Sequence, residues 1–422
     1  MSLAKQQLSI ILAVIALGVG WVRLSAADKS GHIVIGQNAS DMEHYAAREL
    51  QRYLNQISGS LLTIETAKPD GTLSGRVFLL GTRESNPLIA KLAEESLIQV
   101  SASDPGPQGY VLKKAGQEFR LPKSRATEIL VIAGSDKEGC LYGVYGLLEE
   151  HYGIGFYLGG DVLPEKKTPL RLPDMDERKK PAVGIRGVLP WTNFPQSATS
   201  YSWQDWKFIL DQMAKMRMNF LHIHNYNGEA GHNEMFHNVT HDGITPRVWM
   251  ATARSGHAWG GRPGWDPNQY RFGASDLFDD YDFGADCARH NENLSNEQAF
   301  RKGVSEFQKV IAYAHTRGVK IGLGLDIDLL PPELKEKGIK ADDPQLVSTR
   351  VGQVIADYPD LDYLLCFQSE SIFEDKVRYK VWRTVFDGFY RAIKQRAPKI
   401  RVAVAGWGIN AEDVLHRQSR VG

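Results

Sequence analysis

Cysteine is scarce in this chain of 422 residues: only Cys140, Cys287 and Cys366 occur. An odd and sparse set excludes a disulfide scaffold, so stability has to come from packing. Cys366, inside the apolar run LDYLLCF, reads as a core residue and not as a nucleophile. Charge of one sign is lacking too, since Lys plus Arg and Asp plus Glu number 50 each. No overall field draws such a chain to nucleic acid or to an anionic membrane surface. After the N-terminus, no apolar run is long enough to cross a bilayer. Metal and nucleotide spacings are missing as well: there is no HExxH, CxxC, GxGxxG, GxxxxGK or GxSxG. No cofactor and no metal are expected.

What is there begins with an export signal over residues 1–27. Lys5 precedes an apolar run from Leu8 to Val22, and Ser25-Ala26-Ala27 suits a signal peptidase. The expected location is therefore secreted or periplasmic.

Residues 28–165 read as a small α/β domain. HIVIG, LLTIE, RVFLLG, GYVL and EILVIAG are strand-like. A first helix from Ser40 to Ser58 has Ser40 and Glu43 as its capping box, Ala46, Leu50, Tyr53, Leu54 and Ile57 on one face, and Gly59 as its stop. A second, starting near Gly139, buries Leu141, Val144, Tyr145 and Leu148 and stops at Gly153. Residues 166–181, rich in Pro and Lys, read as an irregular linker.

From residue 182 to 422 short apolar strands alternate with helices, the pattern of β/α units on a parallel sheet. The strands are GIRGVL, FLHIHNY, VKIGLGLDI, DYLLCFQ and IRVAVAGW. Helical phasing joins Trp206, Ile209, Leu210, Met213 and Met216, then Phe300, Val304, Phe307, Ile311 and Ala314, then Trp382, Val385, Phe386, Phe389 and Ile393. The fold class is therefore α/β: a small α+β domain followed by a partial (β/α)8 barrel with about five of its eight strands. Because few residues follow the fifth strand, the barrel is expected to be incomplete, the alternative being an open doubly wound sheet.

In a β/α barrel, functional groups project from the carboxyl ends of the strands. Those ends carry His222, His224, Asn225 and Tyr226, then Asp326 and Asp328, then Gln368 and Glu370, then Trp407. Glu370 follows a mainly apolar strand, where partial desolvation raises a carboxyl group's hold on its proton and suits it to general acid work. Asp326 and Asp328 share one strand face at period two and can bind sugar hydroxyls or assist. Against these readings stand ordinary loop and helix-capping roles for the same carboxylates. Residues 226–295 lack periodicity and far exceed the usual loop of about 2 to 6 residues. They carry Trp259 and Trp265, whose flat faces suit stacking on sugar rings, though aromatics also pack a loop's own core. Half of the 12 His residues fall between His222 and His257. Substrate hydrogen bonding by His224, with His232 second, is preferred over a metal site built from His222, His224 and His232.

The stretch GCLYGVYGLLEEHYGIGFYL, then IRGV and WQDWKFILDQMAKMRMNFLHIH, resembles glycoside hydrolases of the α-glucuronidase, bacterial β-hexosaminidase and endo-β-N-acetylglucosaminidase type. That resemblance implies a small domain before a catalytic (β/α)8 barrel, a carbohydrate substrate, and a general acid Glu ending strand four, where QSE places Glu370. Hexosaminidases carry an Asp directly before that Glu, whereas Ser369 stands here. The expected activity is hydrolysis of an O-glycosidic bond of a hexosaminide or glucuronide. The alternative is a glycan-binding protein without catalysis. Sequence leaves the oligomeric state open.

Overall fold

The computed structural model describes residues 30–68, 72–116, 119, 125–189, 203–225, 296–325, 336–368 and 376–406. The expected export signal lies outside them. The chain divides into two compact units, Met1–Ile154 with Leu163–Lys180, and Gly155–Val162 with Pro181–Gly422.

The first unit opens with β1 (Ser30–Ile35) and α1 (Asp41–Ser58). Both halves of the capping box form, since Ser40 Oγ accepts from Glu43 N and Glu43 Oε2 accepts from Ser40 N at 2.7 Å. Gly59 ends the helix at φ 70°, a left-handed conformation costly for residues with a Cβ. Ala46, Leu50, Tyr53, Leu54 and Ile57 are all buried, as the phasing requires. Next come β2 (Leu61–Thr66), β3 (Ser74–Gly81) and α2 (Pro87–Glu94), a short helix that the sequence reading missed. Asn86 caps α2 and a proline occupies its first turn.

β4 (Tyr110–Lys114) and β5 (Arg125–Gly134) lead to α3 (Lys137–Tyr152). Asp136, not Gly139, starts α3, its Oδ1 accepting from Gly139 N at 2.7 Å. Every residue from Gly139 to Leu148 is buried, so α3 has no polar stripe. Gly139, Gly143 and Gly146 make this burial possible. A Cβ on Gly143 would lie 3.3 Å from the Tyr110 ring, and one on Gly146 would stand against its hydroxyl.

The chain then forms the hairpin β6 (Gly155–Tyr157) and β7 (Gly160–Val162), which belongs to the second unit, and returns as β8 (Asp176–Lys179). The resulting sheet has the order β2-β1-β3-β5-β4-β8, with β4 and β8 antiparallel to their neighbours. β8 lies in the stretch expected to be irregular. Its sequence DERK has no apolar alternation because it is an edge strand, where charge is tolerated and guards against further pairing.

The second unit continues with β9 (Gly187–Val188), α4 (Trp203–Lys215), β10 (Phe220–Asn225) and α5 (Asn296–Thr316). It proceeds through β11 (Lys320–Leu325), α6 (Pro344–Asp357), β12 (Tyr363–Gln368), α7 (Lys376–Arg396) and β13 (Arg401–Gly406). All five strands are parallel, and their order in space equals their order in the chain. A doubly wound sheet would reverse its strand order at a switch point, and none occurs here, so this is the wall of a β/α barrel.

One face of the wall, with Leu221, Ile223, Ile321, Leu323, Leu325, Leu364 and Cys366, packs against Trp206, Leu210, Met213, Phe307, Ile311, Val385 and Phe389 of the helices. Burial of each such side chain stabilises by roughly 1.5–3 kcal/mol. The β6–β7 hairpin is held on α4 by Gln212 Nε2 donating to Tyr157 O at 2.6 Å and by Lys215 Nζ pairing with Asp161 at 2.9 Å. No helix among the described residues is long and apolar enough to cross a membrane.

Candidate functional site

Alternation along the parallel strands separates the helix-facing residues from a second set: Phe220 and His222 on β10, Gly322 and Gly324 on β11, Tyr363 and Leu365 on β12. The pairs His222 with Gly322 and Gly322 with Tyr363 run across the wall. Phe220 meets Tyr363 edge-on at 5.0 Å between ring centroids. Above them the two glycines leave a lane that their neighbours fill. A Cβ on Gly322 would come within 2.8 Å of both Leu365 and Phe220, and one on Gly324 within 2.5 Å of His222 Nε2. His222 is therefore buried, with its imidazole seated over the backbone of β11 near the carboxyl edge.

Of the residues singled out in the sequence, His222 is the one whose side chain is described. His224 and Asn225 end β10, paired with Gly324 and Leu325, and Gln368 ends β12, paired with Gly406. Tyr226, His232, Trp259, Trp265, Asp326, Asp328, Glu370 and Trp407 lie outside the described residues. β11 ends at Leu325, one residue before Asp326, and β12 ends at Gln368, two before Glu370. Leu325 pairs with Cys366, so the last turns of β11 and β12 run side by side, about 4.8 Å apart. Cys366 and Cys140 are both buried. Burial pushes the Cys140 thiol well above its ordinary range, and the neighbouring Glu43 adds to the shift, so no nucleophile is expected there.

Sequence reasoning overlooked Phe220 and Leu365, while the closely spaced Gly322 and Gly324 read there as permitting close packing inside the barrel, which the structure shows. The signal was present, because even-numbered residues of β10 share a face with His222 while Leu221 and Ile223 take the other.

Residues 23–147 match the family model described as the N-terminus of glycosyl hydrolase family 67. No curated protein sequence matches the chain. Among solved structures, a GH138 enzyme targeting pectin rhamnogalacturonan II is similar, at 14% identity and a TM-score of 0.51 over 93% of this chain. A product-bound mutant β-hexosaminidase of Streptomyces plicatus is similar at 16% identity and a TM-score of 0.50, again over 93% of this chain. The chain spans 37% of the first and 68% of the second. The expected resemblance to glycoside hydrolases is borne out: the family model covers the small domain, and the solved structures share the fold.

Proposed function

We propose that the protein is a glycoside hydrolase acting on the O-glycosidic bond of a hexosaminide or glucuronide. The observation that carries this reading is the five-stranded parallel wall in which β11 and β12 end side by side, one and two residues before Asp326 and Glu370. A family 67 type N-terminal domain ahead of that wall supports it.

In this mechanism Glu370, as the acid, gives its proton to the glycosidic oxygen while the bond to the anomeric carbon breaks, and water completes hydrolysis. Asp326 and Asp328 hold sugar hydroxyls or assist the charge that develops at the ring. His222, His224, Asn225, Tyr226 and Gln368 supply hydrogen bonds at the strand ends, and Trp259, Trp265 and Trp407 supply stacking faces. The glycines of β11 keep side-chain bulk out of the lane over which Phe220 and His222 of β10 lean.

Turnover of 4-nitrophenyl N-acetyl-β-glucosaminide and of glucuronoxylan fragments by wild type and Glu370→Gln tests the reading. A loss of about 100- to 10,000-fold is expected for the variant. Equal rates would remove Glu370 from the mechanism, and binding without product in the wild type would select the non-catalytic glycan-binding alternative.

A further inference from the structure

At the opposite edge of the same wall, where β11, β12 and β13 begin, lies an open cleft of about 570 Å³. Lys320 and Arg401 line it from the first positions of β11 and β13, Arg396 from the end of α7, and Lys399 from the turn between α7 and β13. Two of these cations are held by neutral partners. Arg396 donates to Ser348 Oγ at 3.1 Å, and Arg401 donates to the Tyr363 hydroxyl at 3.0 Å. Among the described residues, none of the four takes part in an ion pair.

Two carboxylates share the lining, and they differ. Asp362 is committed, accepting from Ile321 N at 2.8 Å and pairing with His315 Nε2 at 2.8 Å. Asp360 is exposed at the lip. Four cations therefore stand against two carboxylates, only one of them uncommitted, in a chain whose formal net charge is +0. Such a local excess is a feature of this cleft and not of the whole surface.

We infer that this cleft is a second binding site, separate from the carboxyl edge, for a carboxylate-bearing oligosaccharide. Its volume lies in the range of ligand pockets and is several times what one small anion fills. Guanidinium groups suit carboxylates by paired donors, and lysines add charge without fixed geometry. Asp360 offers acceptors for hydroxyl groups, which a sugar carries on every residue. A phosphodiester chain carries far fewer hydroxyls for that carboxylate to hold. The inference does not depend on hydrolysis at the other edge.

Calorimetric titration of the full chain with trigalacturonate, maltotriose, inorganic phosphate and a single-stranded oligodeoxynucleotide tests it. Trigalacturonate is expected to bind, more weakly as salt rises, with maltotriose silent. The exposed pair Lys320→Glu and Lys399→Glu, introduced together, is expected to weaken binding at least tenfold with the thermal unfolding midpoint unchanged. Glu370→Gln is expected to bind as wild type does, which separates this site from the proposed active site. Unaltered affinity in the double variant, absence of binding by trigalacturonate, or tighter binding of phosphate or of the oligonucleotide would each overturn it.

Discussion

A missing methyl group at Gly324 decides where His222 sits. Supplying it by Gly324→Ala brings Cβ to 2.5 Å from the imidazole Nε2, so the ring or the strand must move. Overpacking of this kind costs about 1–3 kcal/mol. Chemical denaturation is expected to register that loss, and the His222 resonances of an NMR spectrum are expected to shift while those of the first unit stay in place. Another single-residue effect belongs to Glu128 on β5, which joins three strands by accepting from Arg76 Nε at 3.1 Å and by pairing with Lys114 Nζ at 3.2 Å. Burial alone works to raise its pKa, but the two cations outweigh burial and hold it below the usual carboxylate value. The stabilisation is thus present above the unfolded-state pKa and is lost as pH falls through the lower folded one. Glu128→Gln is expected to lower the urea midpoint at neutral pH, and the difference from wild type is expected to close in strong acid. A constant difference at all pH values would mean that charge is not its cause.

At the scale of elements, α3 shows two opposed effects on one residue. Gly146→Ala gains about 0.5–1 kcal/mol in helix propensity, yet its Cβ would press on the buried Tyr110. Overpacking costs about 1–3 kcal/mol, so the net expectation is destabilisation, read as a lower thermal midpoint. Alanine at an exposed helical glycine would do the reverse. This element also marks what could be read without coordinates. Leu141, Val144, Tyr145 and Leu148 stood out as buried, and Gly153 as the stop, because both signals are local. Burial of the opposite side of α3 was not legible, since it depends on a sheet lying against Gly143 and Gly146. The start of α6 is written in the chain, where Asp343 accepts from Gln345 N at 2.8 Å just before a proline, but the weak phasing of the apolar positions that follow hides the helix. β8 had no apolar signal at all, because antiparallel pairing to β4 fixes it and its own side chains do not.

For the molecule as a whole, each unit carries its own core: Leu79, Ile89 and Val131 in one, Leu210, Phe307 and Phe389 in the other. A fragment of residues 30–180 is therefore expected to unfold cooperatively by itself. A fragment ending at residue 165 lacks β8, bares the free edge of β4 and is expected to melt lower and to associate, as sedimentation would record. The barrel wall was largely legible in the sequence, because buried parallel strands such as KIGLGL and YLLCFQ are mainly apolar and the wall's helices, α6 excepted, keep strict phase. Of the candidate site, sequence located the strand ends and the close packing at Gly322 and Gly324, and missed which side chains, Phe220, His222 and Leu365, fill it. A glycine announces no neighbour until the residues leaning over it are known.

The path of the chain through residues 155–180 has a genealogical consequence. The polypeptide leaves the first unit, contributes β6 and β7 to the second, goes back to complete the first sheet with β8, and leaves again. A gene fusion that joined two ready-made modules at one seam would not produce that weave. Recombination that exchanged either module at a single crossover would strand the hairpin or the edge strand with the wrong parent. The two units are expected to have been inherited together, and chimeras between distant homologues are expected to fold only when residues 155–162 travel with α4 and residues 163–180 with the first sheet.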